Sequence, residues 1–186
     1  MKKTFIFHGA YGDPTENWYP WLAAELTDAG FDVTIPRFPT PEGQTLSAWR
    51  EVFRPYEKEL EGSILVGHSL GATFALRLLE SVPAVVDGLF LVSPFSESIG
   101  KPEFDTINAS FYALPNVDLL MRRERHAEIF HGDNDPYVSV THARSLADGL
   151  GAPMRLFVGG GHLNASAGFS AFPVLRDAIL VSQSQS

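Results

Sequence analysis

A chain of 186 residues can bury roughly 70% of the surface its unfolded form would expose, enough to fold without staples, and 45% hydrophobic with 19% charged residues excludes a disordered or fibrous protein. Acidic residues outnumber basic ones by 22 to 14, a formal charge of -8 that repels nucleic-acid phosphates and anionic membranes. Cysteine is absent, which removes disulfides, thiolate metal sites and cysteine nucleophiles together and suits a reducing compartment.

The N-terminus has a basic start, Lys2-Lys3, but its apolar run is too short for a signal peptide. No stretch approaches the roughly 20 apolar residues of a membrane span, so a soluble cytoplasmic protein is expected. Thr4 to Phe7 predicts a buried first strand, followed by a loop over 10–17 with Gly12, Asp13 and Pro14 as turn formers. Trp18, Leu22, Leu26 and Ala29 repeat at helical spacing, with Gly30 where a helix-ending glycine belongs. Phe31 to Ile35 predicts a second strand closed by Pro36. Leu46, Trp49, Val52 and Phe53 then predict an amphipathic helix kinked at Pro55, with an exposed polar segment over 56–61.

The third strand is expected over Ile64 to Val66, with a helix after Ser69 that runs to about Glu80 and is stopped by Pro83. Gly88 to Val92 predicts the fourth strand. Residues 96–124 are the least regular, with one helical patch near Val117 to Arg123, and form a candidate cover for a site. A fifth strand, Glu128 to Phe130, precedes His131-Gly132-Asp133-Asn134-Asp135-Pro136, and a helix from about Val140 ends at Gly149 or Gly151. Arg155 to Val158 predicts a sixth strand running into Gly159-Gly160-Gly161-His162, and a last helix spans about Phe172 to Val181 with Pro173 in its first turn. Residues 1–182 are read as one domain and 183–186 as a flexible Ser/Gln tail.

Strands alternating with helices predict an α/β fold: about six strands in a mainly parallel sheet, with helices on both faces. Ligands bind such sheets outside the carboxyl ends of the strands. His8, Ser69, Ser93, Asp135 and His162 all follow strands and should gather at that edge.

Gly67-His68-Ser69-Leu70-Gly71 fits G-x-S-x-G, a turn between strand and helix that lifts a serine hydroxyl above the sheet. Gly is required two positions either side because strand and helix backbones come too close there for a Cβ. A serine needs a general base, and the base needs a carboxylate to orient it. Ser69, Asp135 and His162 occur in the order Ser, Asp, His used by α/β-hydrolases. His162 follows a glycine run that lets its loop reach Ser69. His68, adjacent to the serine, projects the other way and is expected to pack or hydrogen-bond near the turn. His131 should bond locally, while His126 and His142 lack any partner pattern. Asp133 competes with Asp135 but is placed to bond backbone N–H groups, whereas Asp135, before a proline, is better placed to reach His162. Leu70 should supply one oxyanion N–H at a helix start, and the loop after the first strand a second, from Ala10 or Tyr11.

These motifs, with Glu16-Asn17-Trp18-Tyr19-Pro20-Trp21-Leu22, resemble over nearly the whole chain the small serine hydrolases of the retinoblastoma-binding-protein hydrolase and YdeN-like family. The resemblance implies a compact α/β-hydrolase without a large cap domain, with Ser69, Asp135 and His162 as its triad. Trp18, Trp21 and Trp49 are expected to pack in the core or a groove rather than form a cofactor box. The triple glycine lacks dinucleotide-loop spacing, and no metal or cofactor is expected. The expected activity is serine hydrolysis of a small-molecule carboxylic ester or amide through an acyl-enzyme on Ser69. The alternative is a protein-interaction module retaining the fold, although no residue indicates a protein partner.

Overall fold

The computed structural model describes residues 1–184. Six strands form one sheet in the order β2-β1-β3-β4-β5-β6, with every pairing parallel. They are β1 (Lys2–Phe7), β2 (Phe31–Thr34), β3 (Ile64–His68), β4 (Gly88–Val92), β5 (Ala127–Gly132) and β6 (Met154–Phe157). Between and after them lie α1 (Tyr19–Asp28), α2 (Leu46–Phe53), α3 (Leu70–Ser81), α4 (Pro102–Asn108), α5 (Val117–Leu120), α6 (Val140–Leu150) and α7 (Pro173–Ser184).

The strands are apolar almost throughout because both faces are covered, and side-chain alternation divides them between two cores. Phe5, Phe7, Leu65, Leu89, Leu91 and Ile129 pack with Trp49 and Phe53 of α2, the apolar face of α3, and Leu146 and Leu150 of α6. The intervening residues Ile6, Ile64, Val66, Phe90, Val92 and Phe130 pack with Leu22 and Leu26 of α1 and Leu175 and Ile179 of α7. Registers such as Phe5 opposite Leu65 and Leu65 opposite Leu89 keep each row on one face. Burying each such side chain stabilises the fold by about 1.5–3 kcal/mol.

Local chemistry sets the helix ends. Thr45 caps α2 by accepting from the Ala48 N–H (3.1 Å), Ser139 caps α6, and Pro20 and Pro173 sit in the first turns of α1 and α7. Pro55 does not merely kink α2: the chain continues as a 3₁₀ turn over Arg54–Glu59. The exposed stretch expected over 56–61 is instead partly folded inward, since the Tyr56 ring meets Phe5 edge-on at 5.8 Å and Leu60 is fully buried. Of the tail expected over 183–186, Gln183 and Ser184 instead complete α7, and residues 185–186 lie outside the described residues. No helix among the described residues is long and apolar enough to cross a membrane.

The strand order reverses beside β1, with β2 on one side and β3 on the other. Such a switch point opens a crevice at the carboxyl ends of the strands, and the residues leaving β1 and β3 there are Gly9 and Ser69. The crossing is tight. A Cβ on Gly71 would lie 2.2 Å from the Phe7 carbonyl oxygen and 2.6 Å from that of His8, and one on Gly67 would lie 2.5 Å from Ala72 Cα.

Gly71→Ala must therefore push α3 off β1, and urea unfolding should register a loss of about 3 kcal/mol or more. Gly30→Ala is the control. Its φ of +90° makes it strained, but nothing lies within 4 Å, so it should cost only about 1 kcal/mol.

Candidate active site

Ser69 joins β3 directly to α3 with φ 55° and ψ -121°, a conformation that costs a non-glycine residue on the order of 1–3 kcal/mol. Neighbours hold it there. Its N–H donates to the Val92 carbonyl (2.8 Å), and its carbonyl accepts from Ala72 (2.9 Å). Gly9 passes so near that a Cβ would touch Ser69 Cβ at 3.0 Å.

His162 and Asp135 meet across the ends of β5 and β6. His162 Nδ1 lies 2.7 Å from Asp135 Oδ2, while Oδ1 accepts from the N–H groups of Tyr137 (2.9 Å) and Val138 (3.0 Å). The Asp135 side chain is 1% exposed. Burial alone would raise its pKa, but the His162 hydrogen bond, that ring's charge and the two backbone donors together hold it below the ordinary carboxylate value. A carboxylate at Oδ2 can only accept, so Nδ1 is the donor of this pair and Nε2 is the nitrogen left to exchange a proton. An imidazole held this way can take up a proton at Nε2.

Asp133 takes the backbone role expected of it: its Oδ1 accepts from Gly159 N–H (2.8 Å), and Asn134 Oδ1 from Gly161 N–H (2.7 Å). Three successive side chains thus tie the β5 loop to the His162 loop. The loops nearly touch at Gly132, where a Cβ would lie 2.1 Å from the Gly161 carbonyl oxygen.

Two buried histidines adopt opposite tautomers dictated by their partners. His8 Nδ1 faces the Gly9 carbonyl (2.9 Å) and Nε2 accepts from Phe38 N–H (3.0 Å), so Nδ1 bears the proton and the loop after β1 is fixed from inside. His68 Nε2 faces the His162 carbonyl (2.9 Å) and Nδ1 the Tyr19 hydroxyl (2.6 Å), so here Nε2 bears it. Ser93 Oγ also donates to the His162 carbonyl, at 3.3 Å. His131 bonds locally as expected, Nε2 to the Val138 carbonyl at 3.1 Å. His126, by contrast, lies beside Glu128 (3.7 Å), and His142 sits on α6.

A cleft of about 260 Å³ opens over Ser69 and His162. Gly9, Ala10 and Tyr11 line it from the loop after β1, and Ile99, Phe104 and Asn108 from the irregular segment after β4. The alternatives Ala10 and Tyr11 differ in one respect: the Tyr11 N–H already donates to Thr40 Oγ1 (2.7 Å), so it is not available to a ligand. Leu70 is the first residue of α3 and its N–H has no intrahelical partner. Among the described residues, no group of three or more His, Asp or Glu could hold a metal ion. Sequence reasoning missed Asn17 and Tyr19 as contributors to the His162 loop, although Glu16-Asn17-Trp18-Tyr19 stood out as a motif.

A family model described as serine hydrolase matches residues 4–180. The chain is 27% identical to hydrolase YdeN of Bacillus subtilis (strain 168) over 96% of its own length and 94% of that protein. It is 28% identical to serine hydrolase RBBP9 of Rattus norvegicus over 80% of this chain and 78% of that one. The crystal structure of the B. subtilis ydeN gene product superposes with a TM-score of 0.92, covering 99% of this chain and 100% of that one. Est1E from Butyrivibrio proteoclasticus superposes at 0.74 with 15% identity, covering 99% and 90%, which shows likeness of fold. The fold is that of the α/β-hydrolases.

Burial lowers the pKa of His8, His68 and His131, and for His68 burial and then nearby His162 bring it from 6.5 to about 3. The unfolded chain takes up these protons near pH 6.5 and the folded one does not, so stability falls as pH drops below that value. For His68 alone, moving from pH 7 to pH 5 costs about 2 kcal/mol. Urea unfolding at the two pH values should show His68→Gln losing about 2 kcal/mol less than the parent over this interval; equal losses would contradict a neutral His68.

Proposed function

The chain belongs to the serine hydrolase family, and on that premise we propose that it hydrolyses a carboxylic ester or amide of a small molecule through an acyl-enzyme on Ser69. The observation that carries this reading is the 2.7 Å contact of His162 Nδ1 with Asp135 in the cleft that also holds Ser69. Ser69 Oγ attacks the carbonyl carbon as His162 Nε2 takes its proton, and the Asp135 carboxylate stabilises the imidazolium. The tetrahedral oxyanion receives hydrogen bonds from the N–H groups of Leu70 and Ala10; the engagement of the Tyr11 N–H with Thr40 supports Ala10 over Tyr11. His162 then gives its proton to the leaving oxygen or nitrogen. Water activated by the same imidazole releases the acid and restores Ser69.

The cleft volume of about 260 Å³ lies just below the usual range for small-ligand sites, which supports a small substrate. Phe95, Ile99, Phe104 and Val138 offer it apolar contact, and Glu16, Asn17 and Asn164 polar groups. The chemistry draws on these side chains and backbone donors and calls for no metal or organic cofactor.

Ser69→Ala should lower hydrolysis of a p-nitrophenyl ester by on the order of 10⁴-fold or more and abolish covalent labelling by a fluorophosphonate. Asp135→Asn should cost on the order of 10⁴-fold while leaving the fold intact. Full ester turnover by Ser69→Ala would overturn the assignment. Turnover without any adduct on Ser69 in the parent protein would overturn the acyl-enzyme.

A further inference from the structure

His162 sits in a loop that cannot place itself. Gly161 and Leu163 on either side of it have φ of 54° and 50°, so the backbone turns twice through the left-handed region, and no regular element runs through the residue. Asp135 grips the side chain through Nδ1, with the Tyr137 and His68 rings packed beside it, and a ring hydrogen-bonded at one nitrogen can still pivot about that contact if its main chain moves. The position of the main chain must come from outside.

On the side before His162 it comes from Asp133 and Asn134, which hold the N–H groups of Gly159 and Gly161, and on the side after it from three consecutive residues where the chain enters α1. Asn17 Oδ1 accepts from the Ala165 N–H (2.8 Å), and Trp18 Nε1–H donates to the Leu163 carbonyl (2.8 Å). Tyr19 O–H donates to His68 Nδ1 (2.6 Å), whose Nε2–H donates to the His162 carbonyl (2.9 Å). Residues 17, 18 and 19 therefore meet residues 165, 163 and 162 of the loop, the last through one intermediary. Each member is fixed in turn. Asn17 itself has a φ of 53°, which asparagine tolerates better than most residues, and Trp18 is fully buried with its ring edge-on to Tyr19 at 4.8 Å and to His68 at 5.7 Å. Burial keeps the Tyr19 phenol protonated as a donor and His68 neutral, so neither end of the relay can reverse near neutral pH.

We propose that Asn17, Trp18 and Tyr19, the last acting through His68, are positioning residues that hold the main chain of 162–165 and thereby aim the His162 imidazole at Ser69. The inference rests on reading His162 as the base. Its energetic logic is that a reacting group displaced by about 1 Å can lose on the order of 10²-fold in rate, whereas ground-state binding in the cleft does not depend on where the imidazole points. Ser93, the second donor to the His162 carbonyl, limits the displacement that follows when the relay is cut.

The test compares Tyr19→Phe, His68→Leu and His68→Gln with the parent and with Ser69→Ala, on ester hydrolysis and on the ¹⁵N spectra of the histidine rings. In Tyr19→Phe, kcat should fall about tenfold with KM within about twofold, because positioning acts on the chemical step. His68 should keep its Nε2–H tautomer, since the His162 carbonyl still requires that proton, but its Nδ1 signal should move as the Tyr19 donor is lost, and the His162 ring signals should shift. His68→Leu should lose more than Tyr19→Phe. His68→Gln, whose carboxamide again offers both an N–H donor and an acceptor, should recover most of that loss. An unchanged kcat in folded Tyr19→Phe overturns the proposal, as does His68→Gln no more active than His68→Leu. If Ser69→Ala stays active, the reading of the site fails instead. The His162 ring signals then still decide the clamp, since they move in Tyr19→Phe if the relay sets that ring and stay in place if it does not.

Discussion

At the turn between β3 and α3 the first residues of the helix cross β1 so closely that the carbonyl oxygens of Phe7 and His8 occupy the space where Gly71 would carry a Cβ. Much of the molecule follows from that contact. It brings the end of β1 against the start of α3, which sets Gly9 and Ala10 beside Ser69 and Leu70. It also forces the chain through Ser69 in a conformation that only dense packing can sustain, and the two cores above and below the sheet supply that packing. The strain at Ser69 and the proximity of two loops 60 residues apart in sequence share one geometric cause.

Around this rigid corner the polar groups are arranged so that burial does not leave charge unpaired. His8 and His68 are sealed from water as neutral rings, each with both nitrogens matched to a partner of the opposite kind. Asp135 is a buried carboxylate whose ionised form is favoured because His162 and two backbone donors surround its oxygens. The loop carrying His162 is held on one flank by Asp133, Asn134 and Asp135 and on the other by Asn17, Trp18 and Tyr19. An irregular segment thereby acquires the fixity that elsewhere requires a helix or strand.

Much of this was legible in the sequence because it rests on periodicity and on turn chemistry. Apolar strands, proline and glycine punctuation and the G-x-S-x-G turn each have local causes, so β4 over Gly88–Val92 could be bounded to the residue. The different contacts of Asp133, on a backbone N–H, and Asp135, on His162, could also be told apart, since a proline follows only the second. What stayed hidden depended on distant partners. Whether Ala10 or Tyr11 has an N–H to spare is decided by Thr40, 29 residues from Tyr11, and no spacing rule carries that information. The helical spacing of Trp18 points to packing, and its indole is indeed buried, yet the same ring spends its N–H on Leu163. Burial can be inferred from hydrophobic pattern, whereas the pairing of individual donors and acceptors requires the fold. The turn after Pro55 was misjudged for a related reason: charged residues over 57–59 masked the inward Tyr56 and Leu60.

The order of the strands also governs how the molecule meets its neighbours in a crowded solution. Inner strands β1, β3, β4 and β5 have five or six residues, but the outermost, β2 and β6, have four each. Each carries an ionic side chain, Asp32 tied to Lys3 and Arg155 to Glu128. A sheet that tapers to short, charged margins gives a passing unfolded chain little open ladder on which to extend it. The same taper that leaves the broad centre of the sheet for the cleft makes its rims poor templates for aggregation.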